Sequence, residues 1–174
     1  MRFDRKGLVY RSCLVLSTGG TYDKDYGSGA RVRDMHIGDS YAEDFLPQAL
    51  GHDLFVFRRA IGKDSLDMTP ADRRMVVALC ETVPQKQIIV THGSDTMHLT
   101  ARAIARSKKI SDKIIVLTGA LRPARMKVTD AEFNLGLAVA TLFLSKPGVY
   151  VALSGIFKWD AFKKNKKTGV FEPV

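Results

Sequence analysis

Cysteine is scarce in this 174-residue chain: two occur, Cys13 in an apolar run and Cys80 in a helical pattern. Far apart in sequence and set among apolar neighbours, they read as buried small hydrophobes and not as a disulfide framework. Long apolar runs are missing too, since nothing approaches the roughly 18 to 20 residues of a membrane helix. The opening Met1-Arg2-Phe3-Asp4-Arg5-Lys6-Gly7 leads into a short mixed stretch unlike a secretory signal. These absences point to a reducing, cytoplasmic setting with no membrane role. His36, His52, His92 and His98 show no ligand spacing with cysteine or carboxylate, so no metal is expected.

Acidic residues are outnumbered, 18 against 27 basic, for a net charge of +9. Much of the excess lies near the ends, in Arg2, Arg5, Lys6 and Arg11, and in Lys158, Lys163, Lys164, Lys166 and Lys167. Zinc-finger spacing, an aromatic RNA-binding pattern and a helix-turn-helix are all missing, which favours a solvated basic face over a nucleic-acid surface. The spacings of phosphate-binding loops are missing as well, which makes nucleotide binding the poorer reading of any glycine turn.

What is present alternates between strand and helix. Apolar runs predict strands over 12–17, 53–58, 87–90, 113–117 and 149–153, separated by helices over 41–50, 70–82, 97–106 and 131–145. Thr69 is a good N-cap and Pro70 suits the first helical position, and Met75, Val76, Leu79 and Val83 read as the apolar side of that helix. Residues 22–29 read as a mobile loop over the end of the first strand, and 154–174 as a lysine-rich tail with one tryptophan. The pattern predicts a single α/β domain over 1–174: a doubly wound, mainly parallel sheet with helices on both faces, of the Rossmann or flavodoxin kind. In such a sheet ligands bind where strands end.

Two hydroxyl-rich turns fall at such ends, Thr18-Gly19-Gly20-Thr21 and Thr91-His92-Gly93-Ser94-Asp95-Thr96. A hydroxyl becomes a nucleophile when a base takes its proton, and a lysine beside a carboxylate can serve. Glycines let backbone N–H groups approach a developing oxyanion, so the parts suit acyl transfer. Each turn has a structural alternative: a tight turn for the first, and an N-cap for the next helix in Ser94-Asp95-Thr96. His92, at a strand end before glycine, reads as hydrogen-bonded structure more readily than as a general base.

Taken together, Thr18-Gly19-Gly20-Thr21, Asp64-Ser65-Leu66-Asp67-Met68, Thr91-His92-Gly93-Ser94-Asp95-Thr96-Met97, Leu117-Thr118-Gly119-Ala120-Leu121-Arg122-Pro123 and Asp130-Ala131-Glu132-Phe133-Asn134-Leu135 resemble, in this order, the bacterial-type L-asparaginase family. The resemblance implies a cofactor-free amidohydrolase that releases ammonia from asparagine through a threonine nucleophile and an acyl-enzyme. By position, Thr21 matches the first catalytic threonine, and Tyr26 the tyrosine that activates it, with Tyr22 as the second choice. Ser94 and Asp95 match the second hydroxyl and its carboxylate, and Lys164 the lysine of that trio, with Lys163 as rival. Ser65 and Asp67 match residues that hold the substrate's α-carboxylate and α-amino group. Gly20 and Gly93 stand in the glycine turns where the substrate docks, and the Ala120 carbonyl matches one that faces the side-chain amide.

Two features depart from the family pattern. Ser94 stands where threonine is usual, keeping the hydroxyl and losing a methyl that stiffens χ1. The chain ends at Val174, where family members continue into a second, smaller domain that adds residues to a neighbour's site. The expectation is a site completed by its own loop or by another copy, or else one that works poorly, and a homo-oligomer, dimer or tetramer; the apolar helix near 134–144 reads first as ordinary packing on the sheet and second as a contact between copies. The remaining readings are a glutaminase or other small-amide hydrolase, a non-catalytic amino-acid-binding module, and a basic nucleic-acid-binding protein.

Overall fold

Sequential apolar strands with helical crossovers can pack only as a sheet whose two faces are both covered, and that is the arrangement found. A computed structural model describes residues 13–26, 35–51 and 54–174. Arg2, Arg5, Lys6 and Arg11, the 27–29 end of the expected loop and the start of the expected 53–58 strand lie outside the described residues.

In chain order the elements are β1 (Cys13–Gly19), β2 (Lys24–Tyr26), β3 (Met35–Ile37), α1 (Tyr41–Leu50), β4 (Phe55–Lys63), α2 (Pro70–Thr82), β5 (Gln87–Thr91), α3 (Met97–Ala105), β6 (Ile114–Thr118), α4 (Ala131–Leu144), β7 (Gly148–Ala152), β8 (Ile156–Lys158), β9 (Phe162–Lys164) and β10 (Phe171–Pro173). Six strands form one sheet in the order β4-β1-β5-β6-β7-β8, parallel except for β8. Its register pairs Ser17 with Thr91 and Thr91 with Thr118. The turns that follow β1, β5 and β6 therefore emerge side by side at one edge.

Period-2 alternation divides the core between the two faces. Leu14, Leu16, Ile88, Val90, Ile115 and Leu117 pack under α2 and α3, with Val76, Cys80, Ala101 and Ile104. Cys13, Val15, Ile89 and Val116 pack under α1 and α4, with Ala42, Leu46, Leu135, Ala138 and Leu142. Both cysteines are free and buried. Among the described residues no helix is long and apolar enough to cross a membrane.

Helix α2 begins where its cap predicts. Thr69 Oγ1 accepts from the Asp72 N–H and Asp72 accepts from the Thr69 N–H, a reciprocal capping box with Pro70 in the first turn. Such a cap contributes about 1 kcal/mol. Met75, expected on its apolar side, is instead 51% exposed, because Val76 and Cys80 occupy the buried stripe at a spacing of four.

The structure corrects the sequence reading at three places. Strand β4 runs on to Lys63 through Arg58, Arg59 and Lys63, charges that an edge strand can leave in water. The expected lysine-rich tail is ordered: β8 closes the sheet edge antiparallel to β7, and β9 pairs with β10 as a hairpin. Tyr22, expected in a mobile loop, is 0% exposed and packs edge-on against Tyr41, while Tyr26 ends the short β2–β3 ladder.

Candidate active site

The candidate site starts from a contact between two glycines. Gly20 has φ +79°, and a Cβ there would lie 2.5 Å from both the Cα and the N of Gly93. A side chain on Gly93 would in turn lie 2.7 Å from Ser65 Oγ, and one on Gly119 would lie 2.2 Å from the His92 carbonyl oxygen. The segments after β1, β5 and β6 thus pack backbone to backbone and the Ser65 side chain closes on Gly93, at distances only glycine allows. Thr21 and Ser94 each follow one of the two touching glycines.

Hydrogen bonds fix this stack. Thr18 Oγ1 donates to the Thr91 carbonyl at 2.7 Å and the His92 N–H to the Thr118 carbonyl at 2.8 Å. The Gly20 N–H donates to the Lys63 carbonyl at 3.0 Å. Behind the β6 turn, the Asp130 carboxylate accepts from the Leu121 and Arg122 N–H groups and from Asn134 Nδ2. Asn134 Nδ2 also reaches the Gly119 carbonyl at 3.0 Å, and its Oδ1 accepts from the Ser154 N–H at 2.9 Å. Asp130 and Asn134 have no individual role in the sequence reading; here they buttress the turn that carries Ala120, itself fully buried.

His92 is 0% exposed, and its ring joins the Gly93 carbonyl through Nδ1 and Thr100 Oγ1 through Nε2, both at 2.8 Å. A carbonyl can only accept, so Nδ1 carries the proton and Nε2 accepts from Thr100. Burial pushes the imidazole down to about 4 from its ordinary 6.5, which keeps it neutral. His92 is a structural lock of the Gly93 turn. The pH dependence follows with its sign. A depressed basic group contributes stability that is present above about 6.5 and lost as pH falls toward 4, on the order of 3 kcal/mol. Urea denaturation of wild type and His92→Gln from pH 7 to pH 4 should show the two curves converging as pH falls; a constant gap would contradict this account.

Ser94 and Asp95 do not cap α3. Thr96 holds the N-cap position without a side-chain cap bond, and its hydroxyl instead donates to the Ser65 carbonyl at 2.7 Å while accepting from Arg73. The Ser94 and Asp95 side chains meet Lys164, whose Nζ donates to Ser94 Oγ at 3.0 Å and to Asp95 Oδ1 at 2.5 Å. Strand parity selects Lys164 over its neighbour. On β9, Phe162 and Lys164 share a face, whereas Lys163 turns away toward Glu172 at 3.8 Å. Phe162 stacks on Phe171 at 4.9 Å between ring centres, and Phe171 is 3% exposed against the α2–α3 side of the core. That aromatic anchor delivers the ammonium.

The remaining candidates are placed as follows. Ser65 is 1% exposed, in a short 3-10 turn, and its Oγ has no hydrogen-bond partner among the described residues. Asp67 lies exposed at the end of that turn. Asp64, given no role by the sequence reading, caps the turn and pairs with Lys24 at 2.9 Å, tying it to β2. Thr21 is half-buried, opening a 3-10 turn directly after Gly20. Tyr26 is 46% exposed, while Tyr22 is fixed in the core and cannot reach an open site. The geometry brings Gly20, and with it the Thr21 turn, together with Ser65, Gly93, Ser94, Asp95 and Lys164; among the described residues Asp67 and Tyr26 make no side-chain hydrogen bond or ion pair with that cluster.

Comparison with known families decides the membership. The domain description "Asparaginase, N-terminal" matches residues 12–166. The chain belongs to the asparaginase family. It is 43% identical over 146 residues to L-asparaginase 2 of Escherichia coli, a match covering 81% of this chain and 41% of that protein. It is also 32% identical over 155 residues to one of the subunits of the glutamyl-tRNA(Gln) amidotransferase of Methanococcus maripaludis, covering 83% of this chain and 35% of that protein. Among solved structures, the thermostable L-asparaginase of Thermococcus kodakarensis superposes with a TM-score of 0.78 at 24% identity, over 94% of this chain and 51% of that one. A probable cytoplasmic L-asparaginase of Campylobacter jejuni superposes with a TM-score of 0.75 at 25% identity, over 94% and 52%. The chain thus spans a third to a half of the length of these asparaginase-family relatives.

Proposed function

We propose that this domain hydrolyses the side-chain amide of L-asparagine, releasing ammonia and L-aspartate without a cofactor. The observation that carries the reading is the Lys164 ammonium held between Ser94 and Asp95, on a hairpin some 70 positions away in sequence. A lone surface ion pair would mean little, but here it joins a hydroxyl beside the turn that contains Thr21.

In the proposed sequence the Thr21 hydroxyl attacks the amide carbon and the carbon–nitrogen bond breaks. The hydroxyl proton passes through the Ser94–Lys164–Asp95 group to the leaving nitrogen, which departs as ammonia. Water then cleaves the acyl ester and restores Thr21. The unpartnered Ser65 Oγ is the group best suited to meet the substrate's α-carboxylate, since a buried hydroxyl without a partner costs about 1–3 kcal/mol that a ligand acceptor would recover. Asp67 and the Ala120 carbonyl keep their assignments to the α-amino group and the side-chain amide, and Tyr26 its activating role, on the family resemblance.

Self-association through a second copy belongs to the same proposal. Helix α4 leaves Phe133, Phe143 and Leu144 exposed at 65%, 46% and 86%, and Glu132 and Lys146 at its ends are complementary in an antiparallel pair. The test of the activity is ammonia release from L-asparagine and L-glutamine in parallel. Faster release from asparagine is the expected result; release from glutamine alone would reassign the substrate, and binding of either amide with no ammonia would leave an amino-acid-binding module.

A further inference from the structure

One buried carboxylate lies beside the site and takes no part in the proposed chemistry. Asp23 is 2% exposed and closes the 3-10 turn that Thr21 opens. Its Oδ1 accepts from the Tyr41 N–H at 3.2 Å, at the first turn of α1, where the N-cap residue Ser40 makes no side-chain cap bond. The Gly19 N–H, on the glycine turn itself, also favours the carboxylate. The Asp23 backbone completes the junction: its N–H donates to the Gly20 carbonyl at 3.3 Å and its carbonyl accepts from the Gly38 N–H at 2.9 Å. From its place on the 3-10 turn that Thr21 opens, the Asp23 side chain therefore ties that turn to α1.

We propose that Asp23 is a positioning residue for Thr21, a latch that holds the Thr21 turn against α1 while its carboxyl is protonated and releases that hold on ionisation. The proposal rests on Thr21 being the reacting hydroxyl, but the latch itself is a property of the fold. Among the described residues the charged groups that act on Asp23 are Arg59 and Arg125, both engaged elsewhere. Arg59 of β4 pairs with Asp39 at 3.8 Å, and Arg125, from the segment before α4, pairs with Asp25 at 3.3 Å and Asp44 at 2.6 Å. Tyr22 and Tyr41 supply apolar walls, their own ionisations pushed upward by burial.

Burial pushes the Asp23 carboxyl up to about 7, against the opposing pull of the Tyr41 N–H, Arg59, Arg125 and the Gly19 N–H. In any opened form that exposes Asp23 to water, its affinity for a proton falls back to the ordinary carboxylate value of about 4. The closed turn therefore binds the proton more tightly than the open one. By linkage, closure is favoured fully below about pH 4 and weakens as pH rises to about 7. Asp23→Asn keeps the shape and the acceptor oxygen but cannot ionise, and Asp23→Ala removes the tie altogether.

The test is hydrogen exchange of the 19–26 segment, corrected for the intrinsic pH dependence of exchange, between pH 5 and pH 8. Wild type should lose protection by about tenfold or more across that range, Asp23→Asn should stay flat, and Asp23→Ala should be weakly protected throughout. Ammonia release from L-asparagine, taken as the ratio of wild type to Asp23→Asn, should fall over the same interval. A flat wild-type profile, or an equal slope in Asp23→Asn, overturns the latch even if ammonia is released. The expected exchange pattern with no ammonia from any protein supports the latch and defeats the amide-hydrolysis reading instead.

Discussion

Lys164→Met lowers ammonia release from L-asparagine at least a hundredfold and leaves the fold intact. The two halves of this expectation have separate causes. Removing a group that positions or transfers a proton in the transition state costs typically 10²–10⁴ in rate. The structural cost is small, because the Lys164 and Asp95 side chains are 29% and 49% exposed, and solvent-screened pairs contribute under about 1 kcal/mol. Methionine keeps most of the side-chain volume on the β9 face next to Phe162. The loss should appear in kcat, with urea midpoints for wild type and variant nearly equal. Lys163→Met is the internal control: its side chain faces Glu172, so its rate should stay within a factor of about two. Equal losses in both variants would reduce the role of lysine here to net charge.

Gly20→Ala unfolds or severely weakens the domain. Its Cβ would stand 2.5 Å from the Gly93 backbone, which has no side chain that could rotate away. The left-handed φ of +79° adds about 1–2 kcal/mol for any residue with a Cβ. Forcing the two turns apart adds about 1–3 kcal/mol of overpacking, so the total is on the order of 2–5 kcal/mol, a large share of a typical domain's stability. Gly136→Ala provides the contrast: a Cβ there meets nothing within 4 Å on the open side of α4, and helix propensity alone predicts a gain of about 0.5–1 kcal/mol. Urea denaturation of both variants should give opposite signs. Equal and small effects would mean that the Gly20–Gly93 contact does not hold the site together.

What the sequence made legible depended on range. Helix α2 could be placed from two adjacent residues, Thr69 and Pro70, because a cap is local chemistry. The central strands were legible because Ile88-Ile89-Val90 and Ile115-Val116-Leu117 are apolar on both faces, as strands buried under helices on either side must be. The doubly wound, mainly parallel architecture followed from their alternation with helices. Strands of three residues carry too little periodicity to be seen, so β8, β9 and β10 read as a basic tail, β2 as part of a loop, and β3 as no element at all.

The site was legible in a different way. Motif resemblance named Ser94, Asp95 and Lys164 together, but nothing local in the sequence separates Lys164 from Lys163. The pleat of β9 and the Phe162–Phe171 anchor make that distinction, and both are long-range facts. Tyr22 was misplaced for a related reason. A tyrosine among Asp23, Lys24 and Asp25 reads as polar surface until the cavity that receives its ring, between Tyr41 and the sheet, is in view. Asp23 has no signature in the sequence, because a carboxylate destined for burial looks like any other in a polar stretch.

The most direct test of the account is intact-protein and peptide mass spectrometry on samples acid-quenched during turnover of L-asparagine. The prediction is a mass increase of one aspartyl group on the peptide that contains Thr21, absent from Thr21→Ala, which also stops releasing ammonia. An adduct on Ser94, or undiminished ammonia release by Thr21→Ala, would contradict it.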